Sequence, residues 1–347
     1  MNTRLTRLLG IAHPIVLPGM TYVAVPKLVA AVSEAGGLGI LASGALSPQA
    51  CRAAIREVRA LTDKPFGVGC SLKLPGAAEC ARVALEERVS VINTSMGKGD
   101  WVVEAAHAYG GKVIATVSSE KHAQAALDFG ADGLIVTGHE AAAHGGKVTS
   151  MVLIPAVRDL TDKPIIAAGG FADGRGLLAA LALGADAVAM GTRFASARES
   201  GLHPETKQLI VDKPAEDTIY SRNFDTFPCR VMKTPGGQRY TARPLSPPVA
   251  LTRSLQAARE LQTPLADIAR DALSQGLMPA MQVAYFGAAT LAMRKAMFEA
   301  NHVDGVQLIG QVQGLIHDQP SVAEIVERTL AEARAIHQGL AGLSGPW

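Results

Sequence analysis

Eight short apolar runs begin near residues 14, 38, 65, 89, 112, 133, 164 and 187, and a helix-periodic stretch separates each from the next. Their spacing of about 20 to 30 residues is the length of one βα unit. Strict alternation puts the strands in a parallel sheet, because a parallel pair needs a crossover between its strands. Eight such units before residue 195 suit a closed barrel better than an open doubly wound sheet. The expected fold is therefore α/β, a (β/α)₈ TIM barrel. Local signals agree with the period: Ser47-Pro48 is a helix start, and Gly36-Gly37 and Gly110-Gly111 stop helices.

After Phe194 the rhythm breaks. The stretch HPETKQLIV reads as a helix, residues 213–248 show no clear period, and Val249–Leu273 and Gln282–Glu299 read as helices. A capping box, Ser321 to Glu324, starts a further helix with Val322, Ile325, Val326, Leu330, Ala333 and Ile336 on one face. The expected division is a barrel over residues 1–212, completed by 305–347. A smaller, mostly helical second domain over 213–304 then serves as a substrate cap.

Of the 347 residues, 48% are hydrophobic and 18% charged, which excludes a disordered chain. The formal charge of +2, with no basic run interleaved with aromatics, argues against nucleic-acid binding. Cys51, Cys70, Cys80 and Cys229 form no CxxC pair, which argues against a zinc site or a disulfide framework. Reduced thiols in a cytoplasmic protein are the expectation. No apolar run reaches the ~18 residues of a membrane span, and the first residues lack a signal-peptide pattern.

In a TIM barrel the C-terminal strand ends share one mouth, where the chemistry sits. The polar or glycine positions there are Gly19-Met20-Thr21, Ser43, Ser71, Asn93-Thr94, Ser118, His139 to His144, Gly169-Gly170 and Gly191-Thr192. No carboxylate cluster, GxSxG elbow or Walker lysine loop occurs, so no metal is expected. Gly169-Gly170 and Gly191-Thr192 end consecutive strands. Either they are the glycines that tight βα turns need, or they converge backbone N–H groups on a phosphate. His144 lies among small residues in GHEAAAHGGK, where an imidazole can exchange a proton with a substrate or simply hydrogen-bond its loop. His139, nearer the strand, suits a structural role, and His13, His107, His122 and His337 suit the surface.

These residues resemble the nitronate monooxygenase (2-nitropropane dioxygenase) family, which includes FMN-dependent enoyl-acyl-carrier-protein reductase II and NADH:quinone reductases. The resemblance lies in HPIVLPGM at 13–20, EAGGLGILAS at 34–43, PFGVGCSL at 65–72, GHEAAAHGGK at 138–147, IIAAGGFADGRGLLAALALGADAVAMGTRFASARES at 165–200 and GQVQGLI at 310–316. It implies a barrel closing over FMN, with the phosphate at Gly169, Gly170, Gly191 and Thr192. It puts the flavin ring against Gly19, Met20 and Thr21, near Ser71 and Ala143, and brings the tail back at Gln311. The catalytic histidine falls on His144.

The departures from the family pattern are Leu17, Pro18, Gly69, Thr116 and Ala142-Ala143. The activity implied is oxidation of alkyl nitronates with dioxygen; the alternative is NAD(P)H-dependent reduction of an enoyl thioester or a quinone. The ARESGLHPETK and GGKVTSM stretches look like the enoyl reductase. A nucleotide-processing barrel would need a mouth cysteine between Cys80 and Cys229, and none occurs. The expected partners are small molecules, and the chain is compatible with a homodimer.

Overall fold

The computed structural model describes residues 1–74, 76–260 and 277–342. Eight parallel strands pair in chain order and close on themselves. They are β1 (Ile15–Leu17), β2 (Leu38–Ala42), β3 (Phe66–Ser71), β4 (Val91–Ser95), β5 (Lys112–Val117), β6 (Gly133–Thr137), β7 (Ile165–Ala168) and β8 (Ala187–Ala189). Closure is made by β8 against β1, with Val188 opposite Ile15 and Ala189 opposite Val16. Each strand begins within a couple of residues of its expected start.

The strands are buried on both faces, so they read as apolar runs rather than alternations. Their period of two nonetheless sorts the side chains. Ile166 and Ala168 point inward with Val16, Ile40, Ile114 and Ile135, while Ile165 and Ala167 face the surrounding helices. The far end of the barrel is plugged by the helix Arg4–Leu9, whose Leu5 and Leu9 join the interior cluster. Periodicity does not reveal this helix, because six residues make under two turns.

Beyond β8 lie the helices Gly191–Ala195 and Pro204–Asp212. The stretch without a period contains an antiparallel hairpin, β9 (Thr218–Ser221) with β10 (Cys229–Met232), and a helix, Pro235–Ala242. These strands are four residues each, and β10 is buried throughout, so no alternation marks it. The helix expected over 249–273 is seen as Pro247–Glu260, and residues 261–273 lie outside the described residues. The helix expected from Gln282 begins earlier, at Leu277, and ends at Glu299 as expected.

The chain then returns to the barrel through a 3₁₀ turn, Gln311–Leu315, and a long helix, Val322–Ala341. The capping box forms as expected, with Ser321 and Glu324 bonding each other's backbone N–H groups. This helix crosses Gly174–Ala182 at backbone distance: a Cβ on Gly174 would sit 2.4 Å from the Ala333 nitrogen. All four cysteines are buried free thiols. Among the described residues no helix is long and apolar enough to cross a membrane.

Candidate active site

Two glycine turns meet at the mouth between β7 and β8. Gly169 and Gly170 both have left-handed backbones, with φ of +96° and +88°. Only glycine adopts this conformation routinely. A Cβ on Gly169 would also press on Gly138 O at 3.1 Å and Ala141 N at 3.2 Å. Opposite them the helix Gly191–Ala195 starts, and its first N–H groups have no intrahelical acceptor. The tail closes this cradle: Gly310 N donates to Thr192 Oγ1 at 3.2 Å, and Gln311 N donates to Glu140 O at 3.0 Å. Gln311 thus takes part through its backbone. The Glu140 carboxylate is turned away to the start of the helix Ser150–Arg158, where it accepts from Ser150 N and Oγ.

The mouth floor is nearly free of side chains at its centre. Gly19 and Gly69 face each other, and a Cβ on either would lie 3.5 Å from the other's Cα. Met20 Sδ sits 3.2 Å from where a Gly191 Cβ would be, which joins the β1 loop to the cradle. Ser71 Oγ and Ser95 Oγ are 2.9 Å apart, and Asn93 Nδ2 donates to Ile114 O and Thr116 Oγ1, both at 2.9 Å. Gly69 and Thr116, both departures from the family pattern, put no long side chain at the centre of this floor. Thr21 is half-buried beside it, close to Gly44.

His144 hangs over this floor on a loop braced by the hairpin. Ala143, held at φ +53°, pairs with Arg230 through Arg230 N to Ala143 O at 2.9 Å and Ala143 N to Arg230 O at 3.2 Å. The buried Arg230 guanidinium donates to His139 O at 2.9 Å and to Thr218 Oγ1 at 2.9 Å. Burial pulls this guanidinium below the ordinary arginine value. Tyr220 Oη donates to Gly145 O at 3.0 Å, and its ring packs edge-on against His139. His139 Nδ1 donates to Gly146 O at 2.9 Å, the structural role expected of it.

His144 itself is held by a residue that sequence reasoning does not reach. Its Nε2–H donates to the Asp225 carboxylate at 2.7 Å, with Asp225 4% exposed and the His144 side chain 35% exposed. A carboxylate only accepts, so the bond fixes the tautomer and leaves Nδ1 as the available nitrogen. Phe227 and Phe286 wall the imidazole, with ring centroids 5.7 and 6.0 Å away. His144 Nε2, an Asp225 oxygen and Cys229 Sγ lie within 4.8 Å of one another. Burial pushes the Cys229 thiol well above its ordinary value and the Asp225 charge adds to this, so the sulfur stays a neutral thiol.

Phe286 belongs to the helix Leu277–Glu299, which crosses the mouth as a roof. Further along it, Arg294 lies over the ring of Tyr22 in the β1 loop. The far end is tied to the barrel side by His203 N donating to Met297 O at 2.8 Å and Thr206 Oγ1 donating to Ala296 O at 2.7 Å.

The barrel thus pairs a glycine cradle with a carboxylate-held histidine at one mouth, and its family makes it an oxidoreductase. The chain belongs to the nitronate monooxygenase family, whose model matches residues 2–332. It is 35% identical to a (3aS,4S,5R,7aS)-5-hydroxy-7a-methyl-1-oxo-octahydro-1H-indene-4-carboxyl-CoA dehydrogenase of Rhodococcus jostii, covering 96% of each chain. A nitronate monooxygenase of Pseudomonas aeruginosa is 31% identical over 96% of this chain and 99% of its own. The structure of FabK from Thermotoga maritima superposes with a TM-score of 0.83 at 36% identity, over 99% of this chain and all of the other.

Proposed function

We propose that this protein is an FMN-dependent oxidoreductase acting on an acyl thioester, with His144 as the residue that moves the substrate's proton. The observation that carries this reading is the Asp225–His144 bond. A nitronate is already a carbanion and has no proton to give. A base with a fixed tautomer serves a substrate that loses or gains one. The similarity to an acyl-CoA dehydrogenase along nearly the whole chain supports the thioester class.

The residues present fit the cofactor. The left-handed Gly169 and Gly170 and the N–H groups opening at Gly191 and Thr192 suit a phosphate. The flat floor at Gly19, Met20 and Thr21, with Ser71 and Ala143 at its edge, suits a planar ring. FMN, when bound, supplies a reversible two-electron acceptor. The chain's own residues do the rest. His144 Nδ1 takes the substrate's proton while Asp225 holds the Nε2–H and balances the imidazolium that forms. Phe227 and Phe286 pack edge-on against the imidazole and hold its ring in place. The hairpin fastens the loop, and residues 213–304 act as the cap under which the substrate lies.

A second reading, oxidation of nitronates with dioxygen, is favoured by the family and by the Pseudomonas aeruginosa relative. Anaerobic mixing of the flavin-loaded protein with a 3-hydroxyacyl-CoA, an enoyl-CoA plus NADH or NADPH, and an alkyl nitronate separates them. Bleaching by the hydroxyacyl-CoA, or turnover of the enoyl-CoA, is the expected result. Bleaching by the nitronate alone establishes the second reading instead. On the thioester reading H144A should slow the reaction by roughly 10²- to 10⁴-fold with the bound FMN unchanged; full activity in that variant removes His144 from the mechanism.

A further inference from the structure

The roof helix carries, in Arg294, a cation that no described residue of the barrel neutralises. Phe286 meets His144, and eight residues further along Arg294 lies 5.6 Å from the Tyr22 ring centroid and 5.7 Å from that of Phe298. At 1.5 Å per residue, these two points stand about 12 Å apart along the helix. One is over β6 and the other over β1, with the cradle strands β7 and β8 between them around the barrel.

Arg294 is half-buried and has no ion-pair partner among the described residues. Beside it Tyr22 Oη is buried without a hydrogen-bond partner, on a backbone at φ +67°. A left-handed tyrosine is strained, and such strain collects where a site constrains the chain. A partly desolvated guanidinium next to an unspent phenolic donor is a poor way to finish a surface and a good way to meet an anion.

We propose that Arg294 and Tyr22 form a subsite for the diphosphate of a ligand that lies under the roof helix with its reactive end at His144. The guanidinium can take two phosphate oxygens side by side, and the Tyr22 ring beneath holds it in place. The separation along the helix, with the reach of the side chains at either end, lies within the span of a pantetheine arm between a thioester and its diphosphate. In that form the inference rests on the thioester reading. A nicotinamide dinucleotide carries the same group, so the two sources are tested side by side.

The test uses R294M and Y22F on the flavin-loaded protein, which keep side-chain volume and remove one donor group each. Calorimetry with coenzyme A and with NADH reads binding without turnover. Steady-state kinetics compare an acyl-CoA with the same acyl group on pantetheine, which lacks phosphates. R294M should weaken coenzyme A binding and raise the acyl-CoA KM by about tenfold or more, with kcat nearly unchanged and the acyl-pantetheine KM unmoved. Y22F should act in the same direction with a smaller effect.

A selective loss of NADH binding in R294M supports the subsite with the dinucleotide as its source. Equal binding of both ligands by wild type and R294M overturns the inference, as does a wild type that binds neither. The thioester reading is judged separately: it fails if wild type does not turn over acyl-pantetheine, and survives if that substrate works while R294M changes nothing. R294K, which keeps the charge, should recover part of the affinity, and unchanged melting temperatures exclude a folding defect.

Discussion

Asp225 performs a task that its own amide could not. As a carboxylate it can only accept, so His144 must present Nε2–H to it, which leaves Nδ1 for the proposed proton transfer. In D225N the amide can donate instead, and the opposite tautomer becomes as favourable. The expected outcome is a kcat lower by roughly 10²- to 10⁴-fold, with flavin content and melting temperature close to wild type. Stopped-flow reduction of the bound flavin measures it, and a kcat within twofold of wild type would show that the tautomer is not held by this bond. His144 is legible in the sequence because it sits among small residues after a strand, at the mouth end of a recognisable unit. Asp225 is not: it lies 81 residues away in a stretch without a period. Phe227 and Phe286 are hidden for the same reason, since an aromatic becomes the wall of a site only when the chain folds back over it.

At the scale of the element, the cradle and the caps make opposite demands on side chains. Gly191 opens a helix toward the proposed phosphate site, and a Cβ there would lie 3.2 Å from Met20 Sδ. Gly191→Val would put branched carbons into that space. Flavin content, read as the ratio of 450 to 280 nm absorbance, should drop to under about a tenth of wild type, while far-UV circular dichroism stays unchanged. Retention of full flavin would move the phosphate elsewhere.

At the tail helix the sequence pattern is a complete guide, because a capping box is local. Ser321 N–H, followed by the Ser321 hydroxyl, holds the Glu324 carboxyl down to about 2, with Arg198 adding to it. A folded value below the unfolded one means the stabilisation is present above pH 4.5 and is lost as pH falls toward 2. The melting-temperature gap between wild type and E324A should be open at pH 7 and narrow steadily below pH 4.5; a gap independent of pH would contradict it. The β9–β10 hairpin offers no such local signature. Four-residue strands, one of them wholly buried, carry neither alternation nor a glycine turn to announce them.

The whole molecule was legible to the degree that it repeats. Eight βα units state the same instruction eight times, so an ambiguous run such as the one near residue 187 is settled by its neighbours. The segment after residue 212 says each thing once, and its layout follows from contacts rather than from pattern. One property belongs to the assembled barrel alone: Cys51, Cys70 and Cys80 are buried between strands and helices, and Cys229 under the hairpin. Native protein should therefore show almost no reaction with a thiol-specific dye such as DTNB over minutes, and all four thiols should react in guanidinium. Rapid labelling of one thiol in the native state would show that the barrel wall or the hairpin opens locally.

The bond from Gly310 to Thr192 spans 118 residues of chain, and it sets an order of events at the ribosome. The eight strands can emerge and pair while the residue that closes the glycine cradle has yet to be made. At ordinary translation rates that interval is about 6 to 24 seconds. A nascent barrel is thus an unfinished lock, and on the proposed FMN reading the flavin has a complete seat only in chains translated past Gly310.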